Sequence, residues 1–244
     1  MPGLVRTIKL AIIGTGSVGK TSITVQACMD LFTQDLPYDP TEDNYRMQLI
    51  TDERACILEF QEIEHLEAYQ ALQDQWIREA DAYMLVYSIA SRESFDLIRT
   101  RHDRIRDVRE SCLPNGLSDT LLERWKSGPR ILVANKADLK EAREVSTEEG
   151  EALARELGID FMEVSAKNHH QVMEAVRQIV RVKSKWKDKL DQADLEAKAE
   201  ASKAPGPAKG SARRLFSLRN LLNKMKRSGS SSAEDSNPKR DRRE

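Results

Sequence analysis

As far as about Lys187, short apolar runs of strand length alternate with longer stretches that carry apolar residues at helical spacing. Residues 8–13, 45–51, 56–60, 83–89, 131–134 and 161–164 read as strands, the second and third joined by a short turn at Asp52-Glu53. Residues 20–31 and the heavily charged 94–110 read as helices. Ser146 and Glu149 have the spacing of a capping box opening a helix to Leu157, and Asn168 caps a helix running from His169 into the 183–189 region. Strands alternating with helices predict an α/β fold with a mostly parallel sheet covered on both faces.

Two segments break this rhythm. Residues 111–129 contain Pro114-Asn115-Gly116 and Ser127-Gly128-Pro129 and read as an inserted loop, with a short helical turn around 121–125. Beyond about Ala193 the chain is rich in Ala, Lys, Ser and Pro, a composition that buries too little apolar surface to fold alone. The expected division is a domain over residues 1–187, then a helical extension and a largely disordered tail over 188–244. Charge sharpens the division. From Ala201 to Glu244 there are 12 Lys or Arg against 4 Asp or Glu, a net of +8, so the rest carries −9 of the total of −1. A basic tail of this kind suits an acidic surface. The three cysteines, Cys28, Cys56 and Cys112, have no metal spacing and are expected as free thiols of a reducing compartment. No signal peptide, membrane-spanning run, N-myristoylation start or C-terminal prenylation box is expected from this sequence.

The strongest chemical signal follows the first strand. Gly14-Thr15-Gly16-Ser17-Val18-Gly19-Lys20-Thr21 matches the pattern GxxxxGK[ST], between a predicted strand and a predicted helix. Glycines let the backbone curl so that its N–H groups point inward at phosphate oxygens, and the helix adds its positive N-terminal end. Lys20 is suited to neutralise the outer phosphates, and the Thr21 hydroxyl to ligate Mg²⁺.

This loop does not choose a base. Asn135-Lys136-Ala137-Asp138, at the end of the strand 131–134, does. The Asp138 carboxylate is suited to accept from guanine N1–H and the 2-amino group, both of which adenine lacks as donors; an unmatched buried carboxylate discriminates by ~10⁴ or more. Asn135 is placed to bridge loops and Lys136 to lay its stem over the base plane. Ser165-Ala166-Lys167 ends the last strand, where the Ala166 N–H is placed to bind guanine O6.

With these motifs in this order, GTGSVGKT, YDPTEDNYR, NKAD and VSAK, the chain resembles the Ras superfamily of small GTP-binding proteins over roughly residues 7–187. The resemblance implies a six-stranded sheet with about five helices, Mg²⁺-GTP binding and GDP/GTP switching. It adds Ser22, Phe32 and Tyr38 to the nucleotide-binding set, and makes Thr41 the first-switch threonine that ligates Mg²⁺ beside Thr21. It implies effectors meeting residues 38–46, and exchange and activating proteins as partners. Here the stretch between Phe32 and Tyr38 is about two residues longer than in Ras, and one residue after the threonine is missing.

The family's second switch reads Asp-Thr-Ala-Gly-Gln. Aligned backward from Asp74-Gln75-Trp76, this chain has Glu62-Ile63-Glu64-His65-Leu66 there. Glu62 takes the place of the Asp that holds Mg²⁺ through water. His65 replaces the Gly whose N–H meets the γ-phosphate, and Leu66 replaces the Gln that orients the attacking water. Leu cannot hydrogen-bond water. The catalytic candidates are Lys20 and Thr41, with Glu62, Glu64 and His65 as substitutes for orienting water. A GTPase with slow intrinsic hydrolysis is expected, the alternative being a non-hydrolytic GTP-binding scaffold. The degenerate second switch, absent prenylation box and basic extension are also similar to the Rad/Gem/Kir branch.

In the tail, ARRLFSLRNLLNKMKR over 212–227 spaces Leu215, Leu218, Leu222 and Met225 at three- and four-residue steps among six basic residues. This basic amphipathic pattern suits an anionic membrane or a calmodulin-like groove. It is expected to hold the protein at the inner face of the plasma membrane, with Ser217 and the serines of 228–232 as sites where phosphate would cancel charge. Nucleic acid is not an expected partner, since interleaved aromatics and a known module are lacking.

Overall fold

The computed structural model describes residues 6–32, 45–52, 54–64, 70–112, 125–126 and 128–203. The chain divides into two units, Met1–Leu190 and Asp191–Glu244. In the second, the described residues are the helical ones at 191–203.

The first unit is built on strands β1 (Arg6–Ile13), β2 (Arg46–Thr51), β3 (Arg54–Ile63), β4 (Ala82–Ser88), β5 (Arg130–Asn135) and β6 (Asp160–Glu163). They form one six-stranded sheet in the order β2-β3-β1-β4-β5-β6. β2 runs antiparallel to β3 and every other pairing is parallel. All six strands fall where the apolar runs predict them, with ends shifted by a few residues. The runs of β4 and β5 are continuous because both faces of the sheet are buried there, so successive residues alternate between two cores; β2, at the edge, alternates between core and water.

Leu10, Ile12, Met84, Val86, Ile131 and Val133 point to one face. There they meet Ile23 and Ala27 of α1 (Lys20–Met29), and Val172, Val176 and Ile179 of the last helix. Ala11, Ile13, Tyr83, Leu85, Tyr87 and Leu132 point to the other face. They are covered by Ile77 of α2 (Gln70–Glu79), Phe95 of α3 (Arg92–Asp96), Ile105 and Val108 of α4 (Ile98–Glu110), and Leu153 of α5 (Thr147–Leu157). The last helix, α6, spans His169–Lys203.

The capping box is formed: the Ser146 hydroxyl accepts from Glu149 N and the Glu149 carboxylate accepts from Ser146 N. The Asn168 side chain accepts from Gln171 N as expected of a cap. Two helix boundaries differ from expectation, and one helix is an addition. The helix over 94–110 begins earlier, at Arg92 behind the cap Ser91, and is interrupted at Leu97, so that it becomes α3 and α4. The last helix runs beyond the 183–189 region to Lys203, into the expected helical extension, where the Ala-, Glu- and Lys-rich sequence has high intrinsic helix propensity. α2 is not among the elements predicted above, although Trp76 and Ile77 pack on the core. It buries Ile77 and the polar Gln73, leaves Leu72 exposed, and is tied to α4 by a bidentate pair from Arg104 Nη2 to Asp74 at 2.7 and 2.6 Å.

Of the inserted segment, residues 113–124 and 127 lie outside the described residues. Its return end is anchored on the domain. Trp125, 4% exposed, donates from Nε1 to Arg109 O, and Arg109 Nε donates to Trp125 O at 3.0 Å. The Arg109 guanidinium lies 4.7 Å from the Trp125 ring centroid and 5.4 Å from that of Trp186 on α6. A buried cation over two indoles is attracted by both rings, which offsets part of its lost hydration. All three cysteines are free thiols.

Candidate functional site

β1 leads directly into the glycine-rich loop. A Cβ on Gly14 would lie 2.5 Å from the Val86 carbonyl oxygen of β4 and 2.9 Å from Val18 Cγ2, so only glycine lets the loop pass this close to the sheet. Ser17 (φ 59) and Gly19 (φ 92) are both in the left-handed region and turn the backbone into its curl. The loop opens α1, whose N-terminus has no side-chain cap and no acidic residue in its first turn. Its orphan N–H groups and the positive end of its dipole face the loop, an arrangement suited to an anion.

Lys20 folds back over this loop. It is 7% exposed and Nζ donates to Thr15 O at 2.7 Å. Burial lowers its ammonium below the ordinary lysine value, and the fields of Glu64 and Glu62 oppose that shift. Beside it the Thr21 hydroxyl donates to Glu62 Oε2 at 2.7 Å. Glu62 comes from the end of β3, where it pairs in register with Ile12 of β1, two residues before the loop. Its second carboxylate oxygen, Oε1, is buried with no hydrogen-bond partner. Ser22, half-buried, follows in the first turn of α1.

The Asn135 and Ser165 motifs meet this loop from the far side of β4. Asn135, 1% exposed, donates from Nδ2 to Val18 O at 2.8 Å and accepts at Oδ1 from Ala166 N at 3.1 Å. One side chain therefore ties the loop after β1 to the loop after β6. Gly19 is needed for this approach: a Cβ there would lie 2.4 Å from Asn135 Nδ2. Lys136 has φ 66, which turns the chain sharply after β5. Asp138 accepts from Ser165 Oγ at 2.7 Å and lies 2.8 Å from Lys167 Nζ. Burial alone would raise its carboxyl; the hydrogen bonds from Lys167 and Ser165 outweigh that and hold it below the usual range. Lys167 Nζ in turn lies 5.7 Å from the centroid of Phe32, three residues beyond α1. The expected free amide of Ala166 is engaged here by Asn135, because the buried Asn carbonyl needs a donor.

Gly14–Thr21, Asn135–Asp138 and Ser165–Lys167 are thus brought to one edge of the sheet, at the carboxyl ends of its parallel strands, where open α/β sheets bind ligands. Among sequence-derived candidates, Tyr38, Thr41, His65 and Leu66 lie outside the described residues, as do most of the expected effector stretch 38–46 and the tail helix 212–227.

A sequence model of the Ras family matches residues 9–185. The chain belongs to the Ras family. It is 42% identical over 200 residues to Ras-like protein 1 of Pyricularia oryzae, covering 80% of this chain and 82% of that one. It is 44% identical over 179 residues to protein ras-2 of Neurospora crassa (71% and 77% covered) and 43% identical over 184 residues to Ras-like protein B of Aspergillus fumigatus (71% and 76% covered).

This Ras-family protein is a small GTPase, a signalling switch that binds GDP and GTP with Mg²⁺. Effectors, exchange factors and activating proteins are the partner classes of its family. Among the described residues no helix is long and apolar enough to cross a membrane. The residues present fit the metal: a hard cation prefers oxygen ligands, and the Thr21 hydroxyl with the partnerless, buried Glu62 Oε1 supplies two within one small space. Thr21 would hold Mg²⁺ directly and Glu62 through water. Bound there, the metal supplies charge neutralisation for the phosphates. Asn135 bridges loops as expected, and the structure supplies its partners, Val18 O and Ala166 N; sequence reasoning missed these partners and the convergence of Glu64 on Lys20. Both are contacts between segments distant in sequence, without a local signature.

Proposed function

We propose that this GTPase holds guanine nucleotide through Gly14–Thr21, Asn135, Asp138 and Ser165–Lys167, and that its intrinsic hydrolysis is slow. The base reading is supported by the Asp138 carboxylate, which Lys167 and Ser165 keep ionised at the strand ends. Slow hydrolysis is supported by the sequence of the second switch, where Leu66 stands in place of the water-orienting Gln and His65 in place of Gly. Glu62 lies on the Thr21 hydroxyl and so serves the metal side of the site rather than the attacking water. In single-turnover hydrolysis with Mg²⁺, the expected rate is at least tenfold below the roughly 4 × 10⁻⁴ s⁻¹ of unassisted Ras, and Leu66→Gln is expected to raise it. An ordinary rate that Leu66→Gln leaves unchanged would sink this reading. No turnover at all in either protein would favour a non-hydrolytic scaffold.

The basic segment 212–227 is the proposed membrane contact, supported by its amphipathic spacing and by the net +8 of the tail. Each basic residue near an acidic bilayer contributes about 1 kcal/mol. The full chain is expected to sediment with vesicles containing phosphatidylserine and not with neutral ones, and a chain lacking residues 211–244 with neither. Equal sedimentation of both chains would refute it, and capture by Ca²⁺-calmodulin in place of vesicles would reassign the segment.

A further inference from the structure

We propose that Glu64 is an internal rival for the outermost phosphate of the nucleotide, and thereby sets the preference of this GTPase between GDP and GTP. The proposal deepens the reading of Gly14–Thr21 as its phosphate loop. β3 ends at Ile63, and the next residue leaves the sheet alongside that loop. Glu64 Oε2 lies 3.9 Å from Lys20 Nζ, and its Oε1 lies 2.8 Å from where a Cβ on Gly16 would stand. The carboxylate therefore rests over the third residue of the loop and on the lysine that reaches the β- and γ-phosphates in loops of this pattern.

The charges decide the consequence. Lys20 already faces Glu62 as well as Glu64, and Arg101 of α4 is a second cation whose field reaches it. A γ-phosphate brought to Lys20 must displace one carboxylate or share the lysine with it, and like charges a few ångströms apart repel. A diphosphate stops one group short and meets less of this opposition. Where the family has Ala at this step of the second switch, no carboxylate competes; here Glu64 adds one. Because its side chain is 47% exposed, it can swing aside, so the expected effect is a bias rather than a block. The same exposure means that replacing it empties no core position.

The test measures the affinities of the full chain for GDP and for a non-hydrolysable GTP analogue in Mg²⁺, for the native protein, Glu64→Gln and Glu64→Ala. Removal of the charge is expected to tighten the triphosphate analogue on the order of tenfold while changing GDP by less than about threefold. Gln, which keeps the length but not the charge, should reproduce most of the Ala effect. The same analogue-to-GDP ratio in all three proteins would overturn the proposal while leaving nucleotide binding intact. Failure of the native protein to bind either nucleotide would overturn the phosphate-loop reading and the proposal with it.

Discussion

Replacing Asp138 by Ala is expected to weaken GDP binding by about 10²–10⁴-fold, since two charge-assisted hydrogen bonds of roughly 1.5–3 kcal/mol each are lost at once. The carboxylate is prepared for this role. Ser165 Oγ and Lys167 Nζ engage its two oxygens and favour its ionised form. A carboxylate so fixed presents acceptors to a ligand without further ordering, and the N1–H and 2-amino group of guanine are donors at matching spacing. The loss should fall on guanine alone: ADP, weak beforehand, should stay weak, so the discrimination collapses. Displacement of a fluorescent GDP derivative measures both affinities. The site assignment would fail if GDP affinity stayed within about threefold of native while circular dichroism showed the same fold.

The parts of this molecule that depend on local pattern were legible in the sequence. The central strands β4 and β5 read as continuous apolar runs because the sheet is buried on both faces there, the edge strand β2 as an alternating one, and α5 read from its capping box, a local reciprocal bond between Ser146 and Glu149. α2 was not read, because the face it buries with Trp76 and Ile77 has the polar Gln73 in it and is held in part by the Asp74–Arg104 pair, so few apolar residues mark it. The break at Leu97 and the continuation of α6 to Lys203 are boundary effects, in which packing and intrinsic propensity replace pattern.

The site follows the same rule. The glycine-rich loop is read from consecutive residues, because every amide it contributes comes from one short segment. The roles of Asn135 and Glu64 lie between segments. Asn135 links Val18 to Ala166 across 117 and 31 positions, and Glu64 meets Lys20 only because β3 lies beside β1 in the sheet. The Arg109–Trp125–Trp186 stack is of this kind too: three aromatic or basic residues with no shared motif anchor the return of the inserted segment.

Lys20→Ala is expected to lower affinity for GDP and for GTP by about 10³-fold or more, with both nucleotides affected. In the proposed site the lysine would make charge-assisted contacts with the phosphates, worth roughly 1.5–3 kcal/mol each. A second term adds to this. Without the ammonium, Glu62 and Glu64 stand as uncompensated carboxylates beside an incoming polyphosphate. The total therefore exceeds what the lost bonds alone would give. Lys20→Arg should not rescue binding, because the side chain is 7% exposed and its Nζ is fitted to Thr15 O as a compact point charge rather than a planar fork. Stability without nucleotide should change little, since burial opposes the charged lysine even as the two carboxylates support it. Equilibrium titration with each nucleotide, with and without Glu64→Gln in the Lys20→Ala background, separates the two terms. Partial recovery on adding Glu64→Gln would show that the carboxylates contribute; recovery of none would leave the loss to the missing phosphate contacts, and an unchanged affinity in Lys20→Ala itself would remove Lys20 from the site.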